Sequence, residues 1–219
     1  GLAAAARAVA GRPDLAGLVA GGTLIVFASA SSQHAITWLV QERGFPYARA
    51  AFLSAVVIGA TGLVGNVGIG LLTDHAQRRT SGGRLLALSG LGVLGLAAAA
   101  FFYRLPPGSS LFFPCWCLAQ TWMLGWFGPL MAAVDDTAPA GMRATVTGFT
   151  LLVVNLLGVA TGPWVTGLIG DRAGLTAGLT WSLVPAAVGL AVVALVGLRE
   201  GRMPRLGENA SIRDPTPPC

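Results

Sequence analysis

A histidine among polar side chains is the feature of this sequence most able to do chemistry. His34 stands with Ser31, Thr37 and Gln41 at steps of three and four residues, which puts all four on one face of a helix. Gln33 flanks that face. Because a histidine titrates near neutral pH, His34 can bind an anionic or polar solute or take part in proton coupling. The other interpretation, a histidine hydrogen-bonded to a neighbouring helix, stays open.

Amide side chains inside apolar runs form the second group of candidates. Gln120 lies in a run that also holds Trp116, Trp122 and Trp126. These rings form a pocket wall around the amide, or at least one of them faces lipid or the membrane interface. Polar groups are costly in lipid, so each is a default candidate for contact with a solute. The candidate solute-binding residues are Gln33, His34, Thr37, Gln41, Asn66, Gln120 and Asn155.

A glycine-rich helical face surrounds one of these amides. Gly59, Gly62, Asn66 and Gly70 recur at steps of three and four residues. Small residues let two helix backbones approach closely in a membrane. This face is therefore predicted to be a packing seam, with Asn66 hydrogen-bonded across it.

The sequence offers little for catalysis or for a cofactor. His34 is the only acidic or basic side chain near the middle of an apolar run, and an intramembrane enzyme needs a catalytic pair at depth. Cys115 and Cys117 have no histidine or acidic residue at a neighbouring turn, which favours packing over metal binding. No Gly-rich nucleotide-binding loop ending in Lys-Ser/Thr is present. We expect no enzyme activity, no cofactor and no metal site.

Composition indicates the environment in which these residues work. Of 219 residues, 54% are hydrophobic and 11% are charged, and the mean hydropathy is +0.70. A soluble domain carries about 25% charged residues, so this chain is predicted to lie in a membrane. Its basic residues are all arginines and sit in short clusters between apolar runs, which is typical of topology signals and argues against nucleic-acid binding.

Six apolar runs are long enough to cross a bilayer, which takes about 20 residues per helix. They are too long for the strands of a membrane barrel and show no period-two alternation, so they are predicted to be helices. The runs are Leu15 to Val40, Ala50 to Thr73, Leu85 to Tyr103, Ser109 to Val134, Thr145 to Ile169 and Leu175 to Leu198.

Arginine distribution predicts the orientation. One set of alternate connectors, with both ends of the chain, holds ten arginines and the other set holds four. By the positive-inside rule both termini are predicted to be cytoplasmic, in a bacterial-type inner membrane. The expected organisation is a cytoplasmic linker at 1–14, a six-helix domain at 15–198 and a disordered cytoplasmic tail at 199–219. Since the first residue is Gly1, we expect the sequence to start within a longer protein.

Two segments carry a family resemblance. The segment from Gly70 through Leu72 and Asp74 to Arg78 and Arg79 resembles the signature loop of the major facilitator superfamily, although residues 75–77 depart from it. The resemblance implies that Asp74 steadies one state of an alternating-access cycle through contact with the other half of the transporter. Ordinary topogenic charges in a solvated loop would give the same pattern.

The second segment runs from Asp136 through Arg143 to Asp171, with Asn155, Gly158, Gly162-Pro163 and Gly167 between them. It is similar to the tenth connector and eleventh helix of Spinster-like and organic-anion-like facilitators. Independently, Gly158 and Gly162 form a small-xxx-small face, and Pro163 is a point at which a helix can bend. The candidate conformational residues are Gly70, Asp74, Arg78, Arg79, Arg143, Gly162 and Pro163.

The resemblance implies an all-α membrane fold that is the C-terminal six-helix half of a major-facilitator-type bundle, built as a 3+3 inverted repeat. The first, second, fourth and fifth helices would face the central cavity. The implied function is secondary active transport of a small solute, an organic anion or another polar or amphipathic molecule, by symport or antiport. The implied partners are the solute, a proton or other coupling ion, the bilayer, and a missing six-helix half or a second copy. The alternative is a non-transporting six-helix scaffold or sensor, or a truncated facilitator that acts as an oligomer.

Overall fold

The computed structural model describes residues 1–202, and these form a bundle of helices. Six segments are long and apolar enough to cross a membrane, which confirms the six predicted runs. We call them the first to sixth spans: Pro13–Gln41, Tyr47–Arg79, Gly83–Phe102, Phe112–Thr137, Ala140–Ala173 and Leu175–Arg202. The predicted tail falls outside the described residues from position 203 onward, and residues 199–202 continue the sixth helix.

Three of the spans are interrupted. The first consists of helices Pro13–Ser31 and Ala35–Gln41 joined by the 3₁₀ turn Ser32–His34. The fourth consists of Phe112–Gly125 and Phe127–Thr137. The fifth begins with the 3₁₀ turn Ala140–Met142 and continues through Arg143–Val153, the π-helix Val154–Val159 and Thr161–Ala173. Interruptions of this kind often mark functional hinges.

Helices also extend beyond the apolar runs. The second span continues to Arg79, so the polar segment from Asp74 to Arg79, predicted as part of a connector, is helical. Gly82 then turns the chain with a positive φ of 72°. Residues 2–10, within the predicted linker, form the helix Leu2–Ala10, which buries Ala5 and Val9 and packs against helix Arg143–Val153.

Packing within the bundle follows a two-fold pattern. Over an apolar stretch of 18 residues in each span, the fraction buried within the chain is 56%, 22% and 44% for the first three spans and again 56%, 22% and 44% for the last three. The first span packs on the fifth and sixth, and the fourth packs in the same way on the second and third. Exchanging the two sets of three spans therefore preserves the contacts, as expected for a 3+3 inverted repeat.

A repeat in the sequence accompanies this symmetry. Gly70-Leu71-Leu72-Thr73-Asp74-His75-Ala76 at the end of the second span and Gly167-Leu168-Ile169-Gly170-Asp171-Arg172-Ala173 at the end of the fifth are 97 positions apart. Gly65 and Gly162 have the same separation. Because an inverted repeat alternates direction, the two copies of the Gly-Leu-x-x-Asp-x-Ala motif lie at opposite ends of the bundle.

Candidate functional site

The interrupted parts of the first and fifth spans contact each other through polar groups. A ring nitrogen of His34, Nε2, lies 2.9 Å from the carbonyl oxygen of Pro163, so His34 makes the hydrogen bond to a neighbouring helix that was its alternative interpretation. One turn away, the Thr166 hydroxyl donates to the Ser31 hydroxyl at 2.8 Å, and Ser31 in turn donates to the Phe27 carbonyl at 2.6 Å. At a rise of about 1.5 Å per residue, His34 and Pro163 lie roughly 10 to 15 Å along the helix from the nearer ends of their spans, which is inside the bilayer core.

Glycines bring the two backbones together at this contact. A Cβ on Gly158 would lie 2.8 Å from the Thr23 carbonyl oxygen, and one on Gly162 would lie 2.6 Å from the Phe27 carbonyl oxygen. Real side chains do not make such approaches. The predicted small-xxx-small contact face of Gly158 and Gly162 is thus confirmed, and the first span is its partner.

A tryptophan of the fourth span hydrogen-bonds to the first span in the same region. The indole nitrogen of Trp126 donates to the Ser29 hydroxyl at 3.0 Å, at the point where the fourth span is interrupted. Trp116, Trp122 and Trp126 are each only 2% exposed, so the expectation that one of them faces lipid is wrong. Trp116 instead stacks on Phe102 within an aromatic cluster. Gln120 is also buried, at 7% exposure.

The polar face predicted on the first span divides into two parts. Ser31 and His34 turn toward the fifth span, whereas Thr37 and Gln41 are exposed, as is Gln33. The 3₁₀ turn explains the division, because its tighter winding changes the direction of every side chain that follows. Ser29 and Thr166 take part in the contact without having been predicted, since only their neighbours in space give them a role.

Among residues 1–202, nothing packs closely on the glycine seam predicted for the second span. Within the described residues, a Cβ added at Gly59 or Gly70 would meet nothing within 4 Å, and Asn66 donates to the Gly62 carbonyl of its own helix at 2.8 Å. The close approach is made by Gly65, whose Cβ would lie 2.2 Å from the Thr121 carbonyl oxygen. The spacing of glycines along the helix does not by itself show whether the side with Gly65 or the side with Gly59 and Gly70 has a neighbour.

The corresponding face of the fifth span is open as well. Asn155 is exposed and donates to the Leu151 carbonyl of its own helix at 2.7 Å. The second and fifth spans, at 22%, are the least buried within this chain. Both therefore present a polar amide and bulky apolar side chains on faces that this chain does not cover.

One end of the bundle carries a charge cluster. It is the end with Pro13, Arg79, Thr137 and Arg202, and we call it the Arg-rich end. The Arg84 guanidinium lies 3.2 Å from an Asp74 carboxylate oxygen and 2.5 Å from one of Asp136. The side chain of Arg84 is only 15% exposed.

This arginine therefore links the ends of the second and fourth spans to the start of the third. Sequence reasoning missed Arg84, although an arginine that opens an apolar run between two acidic connectors is a signal that could have identified it. The predicted conformational residues Arg78, Arg79 and Arg143 are exposed at this same end.

At the opposite end a carboxylate caps the sixth span. Glu42 accepts hydrogen bonds from the backbone N–H groups of Leu175 and of Thr176, the latter at 3.1 Å, and from the Thr176 hydroxyl at 2.5 Å. Beside it, the guanidinium carbon of Arg43 lies 4.6 Å from the ring centroid of Trp38. Asp171 is exposed nearby. Among residues 1–202 no group of three or more His, Cys, Asp or Glu side chains could hold a metal ion.

The fold occurs in a transporter of known structure. The chain matches a bacterial homologue of the human lysosomal transporter Spinster, solved in an inward-facing and unoccupied conformation, with a TM-score of 0.78 and 17% sequence identity. The match covers 93% of this chain and 52% of that protein, so the chain spans about half the length of its neighbour. The sequence matches no family model and none of the curated proteins. At the level of fold, the predicted resemblance to a six-helix half of a major-facilitator-type bundle is confirmed.

Proposed function

We propose that this chain, whose fold is that of one six-helix half of a major-facilitator-type bundle, serves in secondary active transport of a small organic anion or another polar or amphipathic solute. One observation carries the proposal. The interrupted regions of the first and fifth spans, at Ser32–His34 and Val154–Val159, lie beside a direct contact between His34 and Pro163. Discontinuous helices that meet within the bilayer are the usual construction of solute sites in secondary transporters.

The open faces give the solute a place to bind. Gln33, Thr37, Asn66 and Asn155 are exposed on spans that this chain leaves partly uncovered. A second six-helix half, from the same protein or from a second copy, would close over them and leave a cavity lined by amides and hydroxyls. The neighbour is about twice as long as this chain, which supports such a partner.

The repeated motif supports alternating access. One copy contains Asp74, beside Arg84 at the Arg-rich end, and the other contains Asp171, at the opposite end. Each aspartate would steady the closed state of its own end, with Gly70, Arg78, Arg79 and Arg143 serving the first. Arginine distribution supports placing the Arg-rich end in the cytoplasm of a bacterial-type inner membrane.

Uptake measurements on His34 variants test the proposal. The intact protein is reconstituted in liposomes, and uptake of a panel of labelled small organic anions is followed between pH 5.5 and 8. A neutral amide cannot change charge in that range. The substitution His34→Gln should therefore abolish the pH dependence of uptake, while the neighbouring substitution Ala35→Ser should preserve it.

The outcomes separate the alternatives. Uptake by the wild type with a flat pH profile in the His34→Gln protein supports a solute site coupled to protonation at His34. An unchanged pH profile in that variant would contradict the role of His34. No uptake of any solute, together with stable solute-independent dimers, would contradict transport and support the six-helix scaffold.

A further inference from the structure

The outer side of the bundle carries a groove that the proposed function does not use. It lies between the third and sixth spans and has a volume of about 440 Å³. Small and aliphatic side chains line it, among them Leu86, Gly90 and Val93 on one wall and Ala187, Ala191 and Ala194 on the other.

The groove is about as long as one leaflet of the bilayer is thick, and it lies at the depth of one leaflet. From Leu86 to Leu96 it follows ten residues of the third span, about 15 Å of helix. The hydrocarbon core of a bilayer is about 30 Å thick, so one leaflet contributes roughly 15 Å. Leu86 lies one turn from the start of the span at Gly83, which places the groove in the leaflet at the Arg-rich end.

Its chemistry suits a hydrocarbon chain. The one hydroxyl in the lining, that of Ser89, is already engaged with the carbonyl oxygens of Leu85 at 2.8 Å and Leu190 at 3.3 Å. A polar solute would therefore find no free partner among the lining side chains.

Arg202 lies on the sixth helix beyond the groove, in the direction of the Arg-rich end. Ala187, Ala191, Ala194, Leu198 and Arg202 follow one another at steps of three and four residues, so they lie on one face of the sixth helix. Arg202 is exposed, and among residues 1–202 it has no ion pair. Long arginine side chains reach the membrane interface and attract anionic lipid there.

We propose that this groove binds one acyl chain of an anionic phospholipid, whose net negative headgroup is attracted by Arg202. The groove supplies the apolar contact over one leaflet, and the arginine selects the headgroup. This site is separate from the contact between His34 and Pro163.

Native mass spectrometry of the intact protein in detergent tests the site. Phosphatidylglycerol and phosphatidylcholine with identical acyl chains are added in turn, and the retained lipid is counted. One favourable arginine contact is worth about fivefold in affinity, so the wild type should retain phosphatidylglycerol about fivefold more tightly. The substitution Arg202→Gln should remove this preference, whereas Arg143→Gln, on another span at the same end, should keep it.

Two substitutions fill the groove from opposite walls. A Cβ on Gly90 meets nothing within 4 Å, so Gly90→Leu places a side chain in the groove without moving the backbone. Ala187→Leu does the same from the sixth span and keeps the test valid if one variant folds poorly. Both should lose bound lipid, and Gly148→Leu, a matched change on the fifth span where a Cβ also meets nothing within 4 Å, should retain it.

Three results would overturn the proposal. The first is equal retention of the two lipids by the wild type. The second is unchanged retention of phosphatidylglycerol in both groove-filling variants, with helix content checked by circular dichroism. The third is an equal loss of lipid in Gly148→Leu and Gly90→Leu.

Discussion

The close contact between the first and fifth spans depends most on the absence of a side chain at Gly162. The nearest atom to an added Cβ is a backbone oxygen, that of Phe27, which cannot rotate away. We expect Gly162→Ala to lower the free energy of unfolding by about 1 to 3 kcal/mol through overpacking. Thermal unfolding in detergent measures the change.

Gly148 gives the matched control on the same span. A Cβ there meets nothing within 4 Å, so Gly148→Ala should be neutral or stabilise the helix by about 0.5 to 1 kcal/mol. Equal melting temperatures for Gly162→Ala and Gly148→Ala would show that the close approach to Phe27 does not exist.

Glu42 stabilises the start of a neighbouring helix by capping it. Its carboxylate accepts from the first free N–H groups of the sixth span, where the helix dipole favours negative charge. Glu42→Gln should lower the free energy of unfolding by about 1 kcal/mol, and less in high salt because salt screens the charge. Gln41→Ala, next to it and exposed, should leave the melting temperature unchanged; a similar loss in both would argue against the cap.

At the scale of elements, the two copies of the Gly-Leu-x-x-Asp-x-Ala motif make opposite predictions. If Asp74 and Asp171 steady the closed states of opposite ends, Asp74→Asn should favour opening of the Arg-rich end and Asp171→Asn opening of the other. A single cysteine at the exposed position Thr37, in a background free of other cysteines, reports the state by alkylation from each side.

Asp135→Asn is the control, since Asp135 has no ion pair among residues 1–202. It should leave the accessibility of the cysteine unchanged. A shift of accessibility in the same direction for Asp74→Asn and Asp171→Asn would contradict their assignment to opposite ends.

At the scale of the whole molecule, the uncovered faces of the second and fifth spans predict a partner. Gly59→Trp places a large ring on an open face of the second span, where this chain has nothing within 4 Å. The variant should fold normally but lose most of its association with the partner half when the halves are expressed separately and purified together. Ala97→Trp on the third span, outside that face, should associate normally. Full association of Gly59→Trp would place the partner elsewhere.

The sequence alone determined the number of spans and their approximate limits, because the length of an apolar run that crosses lipid is a local property. It also identified the Gly158–Gly162 contact face from two small residues at a spacing of four, although a similar pattern on the second span has no close neighbour within this chain. It singled out His34 as a candidate because a histidine is rare inside an apolar run.

Only the tertiary structure decided which side of a helix has a neighbour. Glycine spacing predicted a seam at Gly59, Gly62 and Gly70 of the second span, whereas the closest approach within this chain is made by Gly65. It placed all three tryptophans of the fourth span in the interior and joined Ser31 to Thr166, residues 135 positions apart. Such contacts depend on how helices are arranged around one another, and a single chain's local pattern carries no information on that arrangement.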